Sequence, residues 1–421
     1  MRPWGVCLFA AFVILGGPAA RSAAEDSPDS WMDRLSLSGW ADAIHSMRTH
    51  APHDALTSRA RLRLELSAAF DAFYGFASAD AEKNWRIDSE TGVDLHEAWL
   101  EHATDRWDLR VGRQIVIWGR SDGVQITDII SPPDYTESIT RDLDEIRTPV
   151  NAARFRLLGD SVVTELIWIP VFEPAVHPSG DNPWAVEPEL PENVRISLAD
   201  AVEPDTTLEN SEIALKAAAY LSGLDVAASV FYTWDDFPAY HRTTRSEGDH
   251  LVVDYTPRHH RLTVLGLEFS RPWSDFVFRG EAAYYFGKYL ETDAITLDPI
   301  KKDQLKWLGG VDWSPGNDWT VIAQLTGDLI LNYDDRLADG AHETMATLSV
   351  SKKLLNQTLT LSNMLFYDLN ANEIYTRPKA AYELTDALHL IVGADIFCGD
   401  DGDFGLYREN SQVWVKAKYS F

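Results

Sequence analysis

Apolar and polar residues alternate with period two along most of this chain, in segments of about ten residues separated by turn-forming residues. In residues 59–66 (RARLRLEL), Ala60, Leu62, Leu64 and Leu66 share one face of an extended strand, and Arg59, Arg61, Arg63 and Glu65 share the other. The same phase runs through residues 411–421. There Val413, Val415, Ala417, Tyr419 and Phe421 oppose Trp414, Lys416, Lys418 and Ser420. Residues 213–221 and 358–365 alternate more loosely. A helix would need apolar residues at every third or fourth position, and these stretches do not supply them.

The connections between segments alternate too. Short polar turns fall at 159–161, 222–225, 271–275, 314–318, 355–357 and 385–386. Long connections fall at 48–57, 83–92, 119–150, 172–209, 236–258, 287–303, 330–342, 369–373 and 398–410. Short turns on one side and long loops on the other predict an all-β fold, a transmembrane antiparallel β-barrel of about 18 strands with both ends on the short-turn side. Merging of neighbouring hairpins would reduce the count to 16 or 14. Trp107, Trp273, Trp313, Trp319, Tyr419 and Phe421 lie beside short turns; Tyr74, Tyr232, Trp234, Tyr284, Tyr285, Tyr289 and Tyr367 are assigned to the other side, giving two aromatic girdles. A soluble sandwich would explain the number of aromatics but not their clustering at strand ends.

Composition narrows the setting. Arg2, the apolar stretch 6–15 and the small residues Ser22, Ala23 and Ala24 read as a secretory signal peptide over 1–24, leaving 25–421 as a single barrel domain. No later apolar run approaches the ~20 residues of a membrane helix. Beyond Cys7 in the leader only Cys398 remains, so the mature chain has no intramolecular disulfide. The formal charge of −28, or −30 after loss of Arg2 and Arg21, argues against nucleic acid as a partner. The C-terminal Phe after alternating apolar residues resembles the signature that the barrel-assembly machinery reads. The expected location is the outer membrane of a Gram-negative bacterium, with its lipids and lipopolysaccharide as surroundings.

Candidate chemistry lies on the face opposite the aliphatic one. It carries Arg59, Arg61, Arg63, Arg154, Arg156, Lys216, Arg279, Lys306, Arg377, Lys379, Lys416 and Lys418. At mid-bilayer each charge would cost about 2–4 kcal/mol on the lipid side, so these residues are assigned to the lumen. Closure brings the last strand beside the first, which sets Lys416 and Lys418 near Arg59, Arg61 and Arg63. Basic rows of this kind attract anions. Alternatively they neutralise Glu65, Glu281, Asp312 and the acids of the loops.

The connection 119–150 exceeds the usual length of a structureless loop and is therefore a functional candidate. It holds Asp122, Asp128, Asp134, Glu137, Asp142, Asp144 and Glu145, with Ile129, Ile130, Ile139, Leu143 and Ile146 to pack it. We expect it to fold into the lumen as a constriction, its acids facing the arginine rows; the alternative is a cap over the mouth. Connection 172–209 is rich in Pro and acids and is expected to be an extended extracellular loop.

The stretch 108–134 resembles a family of proteobacterial outer-membrane barrels, a domain of unknown function akin to polysaccharide-export porins. The resemblance rests on Gly112-Arg113-Gln114, Trp118-Gly119 and Ser131-Pro132-Pro133-Asp134, with Glu97-Ala98-Trp99-Leu100 before and Arg147-Thr148-Pro149 after. Arg120 stands where the family usually has Glu. The resemblance implies a barrel with a transport or export role.

Two functions follow. One is a porin-like channel passing small or oligomeric anionic solutes. The other is a closed barrel serving as a scaffold, or as the outer component of an export system for hydrophobic or polymeric cargo with a periplasmic partner. No nucleophile motif points to an enzyme. The histidines at 45, 50, 53, 241, 250, 259 and 260 lack metal-site spacing, and no cofactor is expected. Gly399-Asp400-Asp401-Gly402-Asp403 offers oxygens for Ca2+ without the EF-hand pattern, and a solvated acidic loop is the simpler reading.

Overall fold

The computed structural model describes residues 34–121, 123–137, 140–141, 145–186, 190–400 and 402–421. The leader 1–24 and Asp122, Ile139, Asp142, Leu143, Asp144 and Asp401 lie outside the described residues. In chain order the strands are β1 (Leu35–Arg48), β2 (Ser58–Phe70), β3 (Phe73–Asn84), β4 (Gly92–Ala103), β5 (Trp107–Gln114), β6 (Val150–Leu158) and β7 (Val162–Ile169). Next come β8 (Val194–Leu198), β9 (Glu212–Leu221), β10 (Leu224–Trp234), β11 (Ala239–Glu247), β12 (His250–Arg258), β13 (Arg261–Trp273) and β14 (Phe276–Leu290). The last are β15 (Ile300–Gly316), β16 (Trp319–Ile330), β17 (His342–Leu354), β18 (Leu359–Asp368), β19 (Glu373–Glu383), β20 (Leu388–Cys398) and β21 (Gln412–Ser420).

All but β8, β11 and β12 form one antiparallel sheet of 18 strands. It closes because β1 bonds to β2 on one side and to β21 on the other, so every backbone edge of the wall is paired. Ile44 of β1 lies opposite both Arg59 and Lys416, and Asp42 lies opposite both Arg61 and Lys418. The alternation becomes two surfaces. Leu62, Leu64, Leu66, Val413 and Val415 are exposed on the outside, while Arg59, Arg61 and Lys416 are buried on the opposite face. No helix among the described residues is long and apolar enough to cross a membrane; the strands span it.

Four details differ from the sequence reading. Residues 236–258 are mostly a hairpin, β11–β12, and β8 from within 172–209 adds to it in parallel, making a separate three-stranded sheet on the long-loop side. The polar run in β11 hides this strand, but Gly248, with φ +60°, supplies the tight turn to β12. Tyr74 follows the short β2–β3 turn and so belongs to the short-turn girdle. Tyr285 turns away from the outer surface and donates its hydroxyl to the Ile126 carbonyl at 3.2 Å.

The fourth concerns the wall before the longest connection. β5 ends at Gln114, so residues 115–118 leave the sheet rather than extend it to Gly119. Their amides find side-chain acceptors instead of a neighbouring strand. Ile115 N–H bonds to Glu97 at 2.9 Å, Val116 N–H to Ser131 Oγ at 3.0 Å, and Trp118 N–H to Asp128 at 2.8 Å.

Candidate functional site

The segment 115–149 touches strands spread around the whole wall. Trp118 Nε1 donates to Glu165 of β7 at 2.6 Å, and Arg120 pairs with Asp225 of β10 at 3.0 Å. Glu281 of β14 accepts from Thr127 Oγ1 at 2.8 Å and from the Thr127 N–H at 3.2 Å, and also from the Arg120 N–H. Glu137 accepts from Arg59 of β2 at 2.7 Å. Glu145 meets Lys416 of β21 at 3.0 Å and Arg59 and Arg61 of β2 at 3.3 and 3.1 Å. Within the segment, Arg147 donates to Asp128 at 2.7 Å and Arg141 to Asp134 at 2.7 Å, so its own acids and bases brace it.

Residues 112–114 and 118–119 root this segment. Gly112 has φ +136°, and a Cβ there would stand 2.2 Å from the Ala98 carbonyl oxygen on β4, so only glycine fits. Arg113 reaches the Leu95 carbonyl at 3.3 Å and Glu173 at 3.7 Å. Gln114 is fully buried and donates to the Ala152 carbonyl at 2.9 Å. The buried Trp118 ring has the Lys216 ammonium 5.4 Å from its centroid. Gly119, with φ +86°, turns the chain against Thr127 and Glu281.

The basic residues named from sequence share the inner face, and acids accompany most of them. Arg63 meets Asp80 through two bonds of 2.6 Å, and Arg156 meets Asp108 at 2.8 Å. Lys216 meets Glu268 at 2.6 Å, and Arg279 meets Asp312. Arg154 lies 3.7 Å from Glu101 and 3.9 Å from Glu165, and Arg377 lies 3.5 Å from Asp395. Lys418 sits over the Trp40 ring, as do Arg61 and Arg63. Asp42, unremarked in the sequence, is buried beside Lys416 at 3.2 Å and Arg61 at 3.6 Å. Its strand alternates weakly, and only the closed register reveals its place between two basic strands.

Beside the segment lies a cavity of about 1030 Å³. Its charged lining is Arg141, Lys288, Lys306, Arg377 and Lys379 against Asp128, Asp235, Asp236 and Asp403. Two counter-carboxylates lie outside that lining: Asp328, 3.1 Å from Lys306, and the buried Asp395 near Arg377. Asp395 is held there by Tyr375 Oη at 2.8 Å and Gln412 Nε2 at 2.9 Å. Burial, together with Glu212 and Asp235, pushes the Asp236 carboxyl well above its ordinary range. Burial and the nearby Asp368, Asp339 and Glu373 raise Asp403 as well.

The pinning acids shift the other way. Burial alone would raise Glu145, but Arg61, Lys416 and Arg59 outweigh it and hold the carboxyl below the usual range. Glu137 is lowered likewise, burial being overcome by Arg59 and Arg141. Among the described residues no group of three or more His, Cys, Asp or Glu is arranged to hold a metal ion.

The comparisons with known proteins agree with the architecture. Solved structures of OccAB3 from Acinetobacter baumannii and OpdL from Pseudomonas aeruginosa each match with a TM-score of 0.53 at 10% identity, covering 92% of this chain and 99% of theirs. The outer membrane channel DcaP of Acinetobacter baumannii matches at a TM-score of 0.45 and 9% identity, over 92% of this chain and 97% of its own. The likeness to OccAB3 and OpdL is one of fold. No curated protein matches in sequence. The family model described as a protein of unknown function, DUF1302, matches residues 24–421, and the chain belongs to that family.

Proposed function

We propose that the protein is a porin-like channel of the Gram-negative outer membrane, exported by the leader 1–24, which passes small anionic solutes past a constriction formed by 115–149. The observation that carries the anion preference is the lining of the 1030 Å³ cavity. Lys306 and Arg377 line it while their carboxylate partners Asp328 and Asp395 do not. Burial and neighbouring carboxylates raise two lining acids, Asp236 and Asp403, so they lose their charge before an exposed aspartate does as the pH falls. The constriction is supported by bonds from one segment to β2, β4, β7, β10, β14 and β21, because strands that far apart around a closed ring are joined most directly across its bore. Pairing of the other basic residues makes the preference moderate.

Planar bilayers under a KCl gradient test this. A reversal potential of anionic sign, reduced in a Lys306→Gln/Arg377→Gln double variant, is the expected result. Cation selectivity would overturn it. A non-conducting barrel that co-purifies with a stoichiometric periplasmic protein would favour the export scaffold instead.

A further inference from the structure

We infer that the solute is an amphiphilic anion, a flat apolar body carrying one acidic group, which binds in the 1030 Å³ cavity between two apolar walls. This rests on the channel reading above and deepens it. The interior of a porin is ordinarily polar. This cavity departs from that rule in two groups of lining residues. One wall presents Trp234 at the end of β10, Phe237 in the connection that follows and Tyr240 of β11. The other presents Met345 of β17 with Met364 and Phe366 of β18. All six are only partly buried, so each offers surface to the cavity.

Both walls are backed. Phe237 stacks on Tyr135 with centroids 6.3 Å apart, and Phe366 stacks on the buried Tyr375 at 5.6 Å. Backing of this kind holds the rings in place and lowers the entropic cost of binding a flat partner. The 115–149 segment contributes apolar surface as well, through Val124 and Ile129. At Gly123 it comes so close to the second wall that a Cβ would lie 2.5 Å from Met364 Cε.

Charge sits at the edge of this apolar space. The Lys288 and Lys306 ammonium groups lie 5.7 and 5.8 Å from the Tyr285 centroid, and Arg377 lines the same cavity. Lys288 also has Asp235 at 3.6 Å. Methionine thioethers and aromatic faces favour polarizable ring systems, and the cations favour an acidic head. The volume is at the upper end of the range for small-molecule sites, so it accommodates several fused rings.

The test combines bilayer conductance with binding to the protein in lipid nanodiscs, using 2-naphthoate as probe. Gluconate serves as the polar anion and 2-naphthalenemethanol as the neutral ring. The expected result is interruption of the KCl current by 2-naphthoate, with binding about tenfold tighter than either control, a difference of ~1.4 kcal/mol. Phe237→Ala should weaken binding of the probe about tenfold; Phe237→Leu, which keeps the apolar volume, checks that the loss tracks the ring. Anion-selective current with equal affinity for 2-naphthoate and gluconate would overturn this inference and leave the channel standing. Selective 2-naphthoate binding to a barrel that passes no ions would support the cavity assignment and overturn conduction.

Discussion

Glu145 shows how much one side chain can concentrate. It meets Arg59, Arg61 and Lys416 within 3.0–3.3 Å, and these come from strands on either side of β1. Replacing it with Gln leaves three buried cations sharing Asp42 and Glu137. Loss of one partner from such a cluster costs about 1–3 kcal/mol. Glu145→Gln should therefore speed amide hydrogen exchange at 134–137 and 145–147 and enlarge the single-channel current; unchanged exchange would show that the contact does not pin these residues. The sequence made Arg59, Arg61, Arg63 and Glu145 visible, since a charged row opposite leucines has one consistent place in a membrane barrel. Asp42 stayed hidden because its importance comes from register, not pattern.

At the scale of elements, the exit of the chain from β5 decides where the longest connection begins. A glycine at 112 permits a left-handed backbone in close contact with β4. Gly112→Ala would impose about 1–2 kcal/mol from the backbone conformation, and the clash with Ala98 adds to it. We expect a lower melting midpoint and less folded protein on an unheated gel, with wild-type behaviour arguing against a rigid exit. The alternation of strands and turns was legible because period-two patterning is strong in strands such as β2 and β21, whose leucines and valines form an exposed outer row. The β8–β11–β12 sheet was not, because it lies outside the barrel sheet and has no lipid-facing row to impose that pattern.

For the whole molecule, pH separates two sets of acids. Asp236 and Asp403 have raised values, so they take up protons first as the pH falls from neutral. Glu137 and Glu145 have lowered values, so their pinning contribution is fully present above the ordinary glutamate value of about 4.3 and is lost only as pH falls through their lower folded values. Anion preference should accordingly be stronger at a pH just above the ordinary glutamate value of about 4.3 than at neutral pH, with the segment still held. Reversal potentials at the two pH values check this, and a shift toward cations would contradict it.

By itself the sequence determined the barrel, a strand number of about 18 with 16 or 14 open, and basic rows set opposite the aliphatic face of the strands. Each follows from a local rule: period two along a strand, short turns against long loops, and the cost of charge in lipid. Tertiary structure alone decided which acids neutralise those bases, which aromatic rings line the cavity, and which strands 115–149 touches. Those choices depend on closure and register between residues far apart in the chain, such as Glu145 and Lys416, 271 positions apart. Alternation carries no information about partners at that distance.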